Sequence, residues 1–410
     1  MDLYEEAKRI EIQLSSLAKF SAEGAGVTRL PFTKEALAAV EFLAEKMEQA
    51  GLVVKQDASG AVYGFYQGIS DEKIVIGSHY DSVKCGGAYD GIAGVVCGIE
   101  IAQLLRQEKT KMPYSLEIVG FNDEEGVRFG DGFFSSKAAL GEWTKEDLQT
   151  KTDADGIRID EAMKKYGLKP NEIAAAAWKL ENVKCFMEIH IEQGPVLEAA
   201  GCELGIVDGI VGMRRYRITV EGQADHAGTT PMLMRHDALA AAAKVINEIE
   251  TIGRSYKDAV ATAGFCEVFP NTVNTVPQRV TFSLDLRSRR EKDIGNMEQN
   301  IMDFLQQVTE NNGTSYDVQQ TLSVKPVSMD TALQKTLQES CSKCGYSFMK
   351  LSSGAGHDAL PIGRAVPTAM VFVPSQGGRS HCPEEYTDPQ NLAKAVHVVL
   401  DTIKKINLEE

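Results

Sequence analysis

Two spacings of apolar residues divide this chain. From Leu3 to Leu17 and from Thr33 to Ala50 apolar positions recur every three or four residues, which predicts two helices. A Thr33 cap opens the second, and Gly51 closes it. Leu52 to Lys55 and Ala61 to Tyr66 read as strands around the turn Ala58-Ser59-Gly60. The short apolar run Ile74-Val75-Ile76 predicts a buried strand that leads to His79. Gly91 to Glu108 reads as a helix packed on both sides, and Ser115 to Phe121 as a second buried strand. After a polar stretch, residues 126–181, Cys185 to His190 forms a third strand. Helices alternating with strands indicate an α/β sheet with helices on its faces.

Around Gly209 the pattern changes. Val211 to Val220 alternates and starts a new unit. A helix from Asp237 to Ile252, strands near Ala261 to Val268 and Val280 to Arg287, a helix from Glu291 to Thr309 and a strand near Ser315 to Leu322 follow. The order βαββαβ is ferredoxin-like. It predicts an inserted α+β domain over residues 212–326, inside a first domain made of residues 1–211 and 327–410. The first domain resumes with a helix from Thr331 to Ser342, a strand from Thr368 to Val373 and a final helix from Pro389 to Ile406.

Composition narrows the class. Hydrophobic residues at 43% and charged residues at 25% are ordinary for a globular protein of 410 residues. The net charge of -15 argues against a nucleic-acid or anionic-membrane surface, while one or two local arginines still suffice for an anionic substrate. The first residues lack a signal-peptide pattern, and no apolar run reaches the roughly 18 residues of a membrane span, so a cytoplasmic protein is expected. Eight scattered cysteines fit no zinc-finger spacing. Cys341 and Cys344 form one CxxC at the end of a helical pattern, open to a redox reading or to that of two thiols before a stop at Gly345.

The chemistry gathers where strands end. His79 and Asp81 follow the first buried strand, Asp90 sits in the loop CGGAYDG, Glu124 and Glu125 follow the second strand, and His190 ends the third. In open α/β sheets, sites form beyond the carboxyl ends of strands. Imidazoles and carboxylates together suit Zn, Mn or Co. Two adjacent glutamates cannot both face one cation from a regular strand, so one can be a ligand while the other works as a base. Gln193 follows His190 as a hydrogen-bonding group at the site mouth.

The segments HYDS, GGAYDG, FNDEEGVRFG, EIHIEQGP, DHAGTTPM, GAGHDA and SHCPEE, in this order over nearly the whole chain, resemble the M20 peptidase superfamily and, within it, the hydantoinase/carbamoylase family. The resemblance implies a dinuclear-metal, peptidase-like catalytic domain whose inserted domain serves as lid and dimerisation surface. It implies two divalent ions per subunit. His79, His190 and Asp90 would hold the first, Asp90 would bridge to the second, and Glu125 and His381 would complete that one. Asp81 would orient His79, and Glu124 would be the general base. A histidine at position 190, where related aminopeptidases and dipeptidases usually carry an acid, favours carbamoyl-type amidases.

On the substrate side, the resemblance makes His226 the group that stabilises the oxyanion, with His226 and Asn274 reaching into the neighbouring subunit's site. Arg287, whose planar guanidinium matches a carboxylate, is the expected substrate anchor. Gly356 and His357 lie in a tight loop, GAGHDA, whose backbone N–H groups suit an anion. His357 reads either as a substrate residue or as a loop histidine bonded to Asp358. Arg214 and Arg215, in GMRRY, resemble the allantoate-hydrolysing members, though alternation in RRYRITV also allows them a solvent-facing role. The expected activity is therefore hydrolysis of a ureido C–N bond in a small anionic substrate, allantoate first, releasing ammonia and carbon dioxide. An N-carbamoyl-L-amino acid or β-ureidopropionate is the alternative, as is an aminoacylase or dipeptidase reaction. A metal-free binding protein on the same scaffold is the alternative of another class.

Overall fold

The computed structural model describes residues 2–109 and 112–406. The fold is mixed α/β, and the chain divides into two compact units: one runs to Asp208 and resumes at Met329, and the other is Gly209–Ser328.

In the first unit the sheet runs in the order Val53–Gln56, Val62–Tyr66, Tyr114–Phe121, Ser70–His79, Val183–Ile191, Thr368–Val373, Leu204–Ile210, and Phe348–Ser353 pairs with Leu204–Ile210. Ser70–His79 lies parallel to both Tyr114–Phe121 and Val183–Ile191, and Thr368–Val373 lies parallel to Val183–Ile191. Four adjacent strands thus end at one edge. Tyr114–Phe121 and Thr368–Val373 are buried at every position, as continuous apolar runs between helices should be. The helix Ile92–Glu108 is buried on nearly all sides and belongs to the same core as Leu3–Leu17, Lys34–Gln49 and Pro389–Ile406. Thr33 caps its helix by accepting the Ala36 N–H. The strand Leu204–Ile210 is the element that periodicity concealed, because Gly205, Asp208 and Gly209 interrupt its apolar run.

A buried guanidinium ties the N-terminal helix to the edge where these strands end. Arg29 donates to the carbonyls of Tyr80 at 2.5 Å, Leu17 at 2.8 Å and Phe20 at 3.2 Å. Burial lowers its pKa to about 10, against the opposing attraction of Asp81, so it stays charged at neutral pH. Three carbonyl partners offset the cost of burying that charge.

The second unit has strands in the order Cys266–Phe269, Arg279–Ser288, Gly212–Glu221, Ser315–Val324, all antiparallel, with Ala259–Thr262 also on Arg279–Ser288. Helices Ala238–Arg254 and Glu291–Asn312 pack on one face, where Ile218, Val220, Phe282 and Leu284 meet Val245, Ile249, Ile294 and Ile301. The single strand expected near Ala261 to Val268 is two. At the break the N–H groups of Gly264 and Phe265 turn to the Ser283 hydroxyl instead of the ladder.

Candidate metal centre

Beyond the shared strand edge, the first unit gathers a cluster of histidines and carboxylates. His79 is the last residue of its strand, and His190 is the penultimate residue of the neighbouring one. Each turns Nδ1 to a backbone carbonyl, His79 to Asp81 at 3.1 Å and His190 to Ile191 at 2.9 Å. An Nδ1–H donor fixes the tautomer with its lone pair on Nε2, and that of His190 also faces the Gly91 N–H at 3.2 Å. Room for the His79 ring comes from Gly91, whose φ is 65°; a Cβ there would lie 2.3 Å from the imidazole.

Asp90 stands between two groups. Its Oδ1 is 3.1 Å from His190 Nε2 and 3.5 Å from His79 Nε2, while Oδ2 is 3.2 Å from His381 Nε2. Glu125 Oε1 lies 3.5 Å from the same His381 nitrogen. His79, Asp90 and His190 therefore form one set able to hold a cation, and Asp90, Glu125 and His381 a second. The fit is supported by orphaned oxygens: Asp90 Oδ1 and Glu125 Oε1 are buried with no hydrogen-bond partner. Burial works against ionisation of Asp90, yet His190, His381 and His79 outweigh it and hold the carboxyl well below the usual range. Burial pushes Glu125 up to about 7, with Asp90 adding repulsion.

Glu124 is buried, with Oε2 3.8 Å from His79 Nε2. Burial, with repulsion from Glu125 and Asp358, raises it well above the usual carboxylate range against the pull of His79. Asp81 is placed differently from the sequence reading. Its carboxylate is 3.7 Å from His79 Nδ1 and instead accepts the backbone N–H groups of Glu124 at 3.0 Å and Glu125 at 3.2 Å. It reaches His79 through its carbonyl, and its side chain orients the two glutamates. The reason is geometric: Glu124 and Glu125 present adjacent N–H groups to it at the end of the next strand.

Gln193 also turns inward. Its amide donates to Asp90 Oδ2 at 2.7 Å, and its Oε1 is unpartnered. His357 is buried, edge-on to His190 at 4.4 Å between centroids, and pairs with the Ser353 hydroxyl at 2.7 Å. The pairing with Asp358 is corrected: Asp358 accepts from Ser136 at 2.6 Å. Gly356 lies against the Phe133 ring, 2.6 Å from where a Cβ would be. Two further buried carboxylates were missed by sequence reasoning. Glu188 accepts from Ser78 and from the Ala359 N–H, and Glu385 accepts from the loops carrying Asp90 and His381. Glu188 was legible two residues before His190 on the same strand face.

The remaining sequence candidates belong to the second unit. His226 is exposed, pairs across a short ladder with Thr275 and accepts the Gly228 N–H at Nδ1. Asn274 is exposed beside it, its carbonyl bonded to the Ala227 N–H. Arg214 shares the helix-covered face with Tyr216 and is held by Glu291 and Glu298 of the helix. The solvent-facing alternative applies to Arg215, which pairs with Asp285 at 2.7 Å across the ladder. Arg287 shares Asp285 at 2.9 Å.

Residues 75–405 match the family described as Peptidase family M20/M25/M40. The chain is 40% identical over 405 residues to the N-carbamoyl-L-amino-acid amidohydrolase of Paenarthrobacter aurescens, covering 98% of each chain. It is 36% identical to the allantoate amidohydrolase of Bacillus subtilis, covering 94% of each. Its fold matches the crystal structure of an amidase of the hydantoinase/carbamoylase family from Burkholderia multivorans with a TM-score of 0.92 and 32% identity, over 98% of both chains. Among the described residues, no helix is long and apolar enough to cross a membrane.

Proposed function

The chain belongs to peptidase family M20/M25/M40, and from that premise we propose that it is a metal-dependent amidohydrolase cleaving the C–N bond of a ureido group in a small carboxylate-bearing substrate. The observation that carries this is the divided Asp90 carboxylate, one oxygen facing His79 and His190 and the other facing His381. Intact donor sets disfavour a metal-free binding role.

His79, Asp90 and His190 would hold one divalent ion, and Asp90, Glu125 and His381 a second; Zn, Mn and Co all suit these donors. When bound, such ions polarise a carbonyl and lower the pKa of water. Glu124 takes a proton from the attacking water and delivers one to the departing nitrogen. Asp81 holds Glu124 in place through its backbone N–H. The Gly209–Ser328 unit is read as a ferredoxin-like lid and dimerisation domain. His226 and Asn274 then serve the substrate in a second copy of the chain, His226 as oxyanion donor. Exposed apolar residues flank them: Leu233 is 101% and Val273 104% exposed, which suits a tip covered by a partner. Arg287 is the proposed anchor for the substrate carboxylate, its guanidinium sharing the single carboxylate of Asp285 with Arg215.

For the substrate, the case for allantoate rested on Arg214 and Arg215. With Arg214 between Glu291 and Glu298 and Arg215 on Asp285, that support is withdrawn, and an N-carbamoyl-L-amino acid becomes the first candidate. The test is ammonia release by metal-stripped protein restored with Mn or Zn. It is run on N-carbamoyl-L-amino acids, N-carbamoyl-β-alanine and allantoate, with a dipeptide scored by free amino acid. Activity on carbamoyl amino acids supports the proposal, and activity on allantoate alone reinstates the arginine argument. Silence on every ureide in the metal-loaded protein refutes it.

A further inference from the structure

Glu385 is 4% exposed and, among the described residues, sits outside every set of side chains able to hold a cation. Its Oε1 accepts the backbone N–H groups of Tyr89 at 3.1 Å and Asp90 at 3.0 Å. Its Oε2 accepts the Ser380 hydroxyl at 2.6 Å and the His381 N–H at 3.3 Å. One carboxylate thus ties together two loops almost 300 residues apart in sequence and carrying Asp90 and His381. The fit is close on its far side too. Gly87 is buried against it, and a Cβ there would lie 2.0 Å from Oε1. His381 has a φ of 56°, a backbone conformation that a non-glycine residue keeps only when its surroundings hold it. The Ser380 hydroxyl has one proton for two carboxylates; the shorter contact is to Glu385, and the Gln193 amide serves Asp90 Oδ2.

We infer that Glu385 is a positioning residue that sets His381 against Asp90 and so builds the second metal site without touching the metal. The inference rests on the two-metal reading above. It makes Glu385→Gln a directional lesion. The amide oxygen still accepts from Tyr89 and Asp90, while the amide nitrogen meets the His381 N–H donor to donor. The site holding His381 should weaken, and the site formed by His79, Asp90 and His190 should not.

The experiment titrates metal-stripped protein with Zn²⁺ against a chromophoric chelator and measures bound zinc, for wild type, Glu385→Gln, Gly87→Ala and His381→Ala. The melting temperature of each metal-free protein is followed alongside. Expected are two ions in wild type and, in Glu385→Gln, one ion bound as before with the other weakened about 10- to 100-fold. Gly87→Ala, which pushes the carboxylate without removing a donor, should weaken the same ion, and His381→Ala identifies which ion that is. If His381→Ala weakens one ion while Glu385→Gln binds both as wild type does, the inference is overturned and the two-metal reading stands. Equal weakening of both ions with a lower metal-free melting temperature also overturns it, leaving Glu385 a general structural role. A wild type that binds fewer than two ions, or a His381→Ala that keeps both, removes the reading beneath it.

Discussion

Glu124→Gln and Glu125→Gln separate the two roles that adjacent glutamates at one strand end must divide. The substitutions conserve shape and remove a negative charge. Glu124 approaches His79, at 3.8 Å, while Glu125 approaches His381, at 3.5 Å, and carries an orphaned buried oxygen. The proposed mechanism gives proton transfer to the first and metal holding to the second. A positioned general base contributes about 10²- to 10⁴-fold, or about 3–5 kcal/mol of barrier. Glu124→Gln should therefore lose that factor in kcat and keep both ions. Glu125→Gln should lose metal and activity together, and excess metal should restore part of its rate. The assay is ammonia release from an N-carbamoyl-L-amino acid, with bound metal measured on the same samples. A Glu124→Gln protein that keeps more than about a tenth of wild-type kcat would fall outside the general-base range and refute the assignment. So would one that loses an ion while Glu125→Gln keeps both.

Two further outcomes test other parts of the molecule. Arg287→Ala should raise KM roughly 10- to 100-fold through the loss of charge-assisted bonds of about 1.5–3 kcal/mol. Arg214→Gln should leave KM unchanged, because two carboxylates of its own unit already hold that guanidinium; equal rises in both variants would sink the distinction. Asp131 offers a pH test of stability. Burial raises its pKa, but hydrogen bonds from Lys137 and Lys151 outweigh this and hold the carboxyl below its ordinary value. Its ionised form therefore stabilises the fold above the ordinary carboxylate pKa of about 4, and that contribution is lost as pH falls through the lower folded value. Asp131→Asn should melt below wild type at neutral pH, with the gap closing under strong acid; a gap independent of pH would contradict the ion-pair account.

The elements of the fold were largely legible because they depend on local spacing. Buried parallel strands appear as short apolar runs, and Thr33 marks its helix start as a cap. Legibility ended where burial lacks a continuous signal. Leu204–Ile210 is broken by glycines and an aspartate, and the strand near Ser283 is interrupted by a side chain that takes two backbone donors. Strand alternation allowed either face for Arg214; only the packed helix Glu291–Asn312 determined which face it shares and which carboxylates hold it.

Sequence by itself determined the residue types at the strand ends, and hence the chemistry on offer: imidazoles and carboxylates that suit a divalent ion. Tertiary structure decided how those groups are aimed. It divided the Asp90 carboxylate between two sets of histidines, turned Asp81 toward the backbone of Glu124 and Glu125, and gave Glu385 its place between two distant loops. The physical reason is that Asp90 is aimed by side chains from distant loops, and Asp81 and Glu385 chiefly by backbone N–H groups. Every residue but proline has that donor, so its position is invisible until the chain folds.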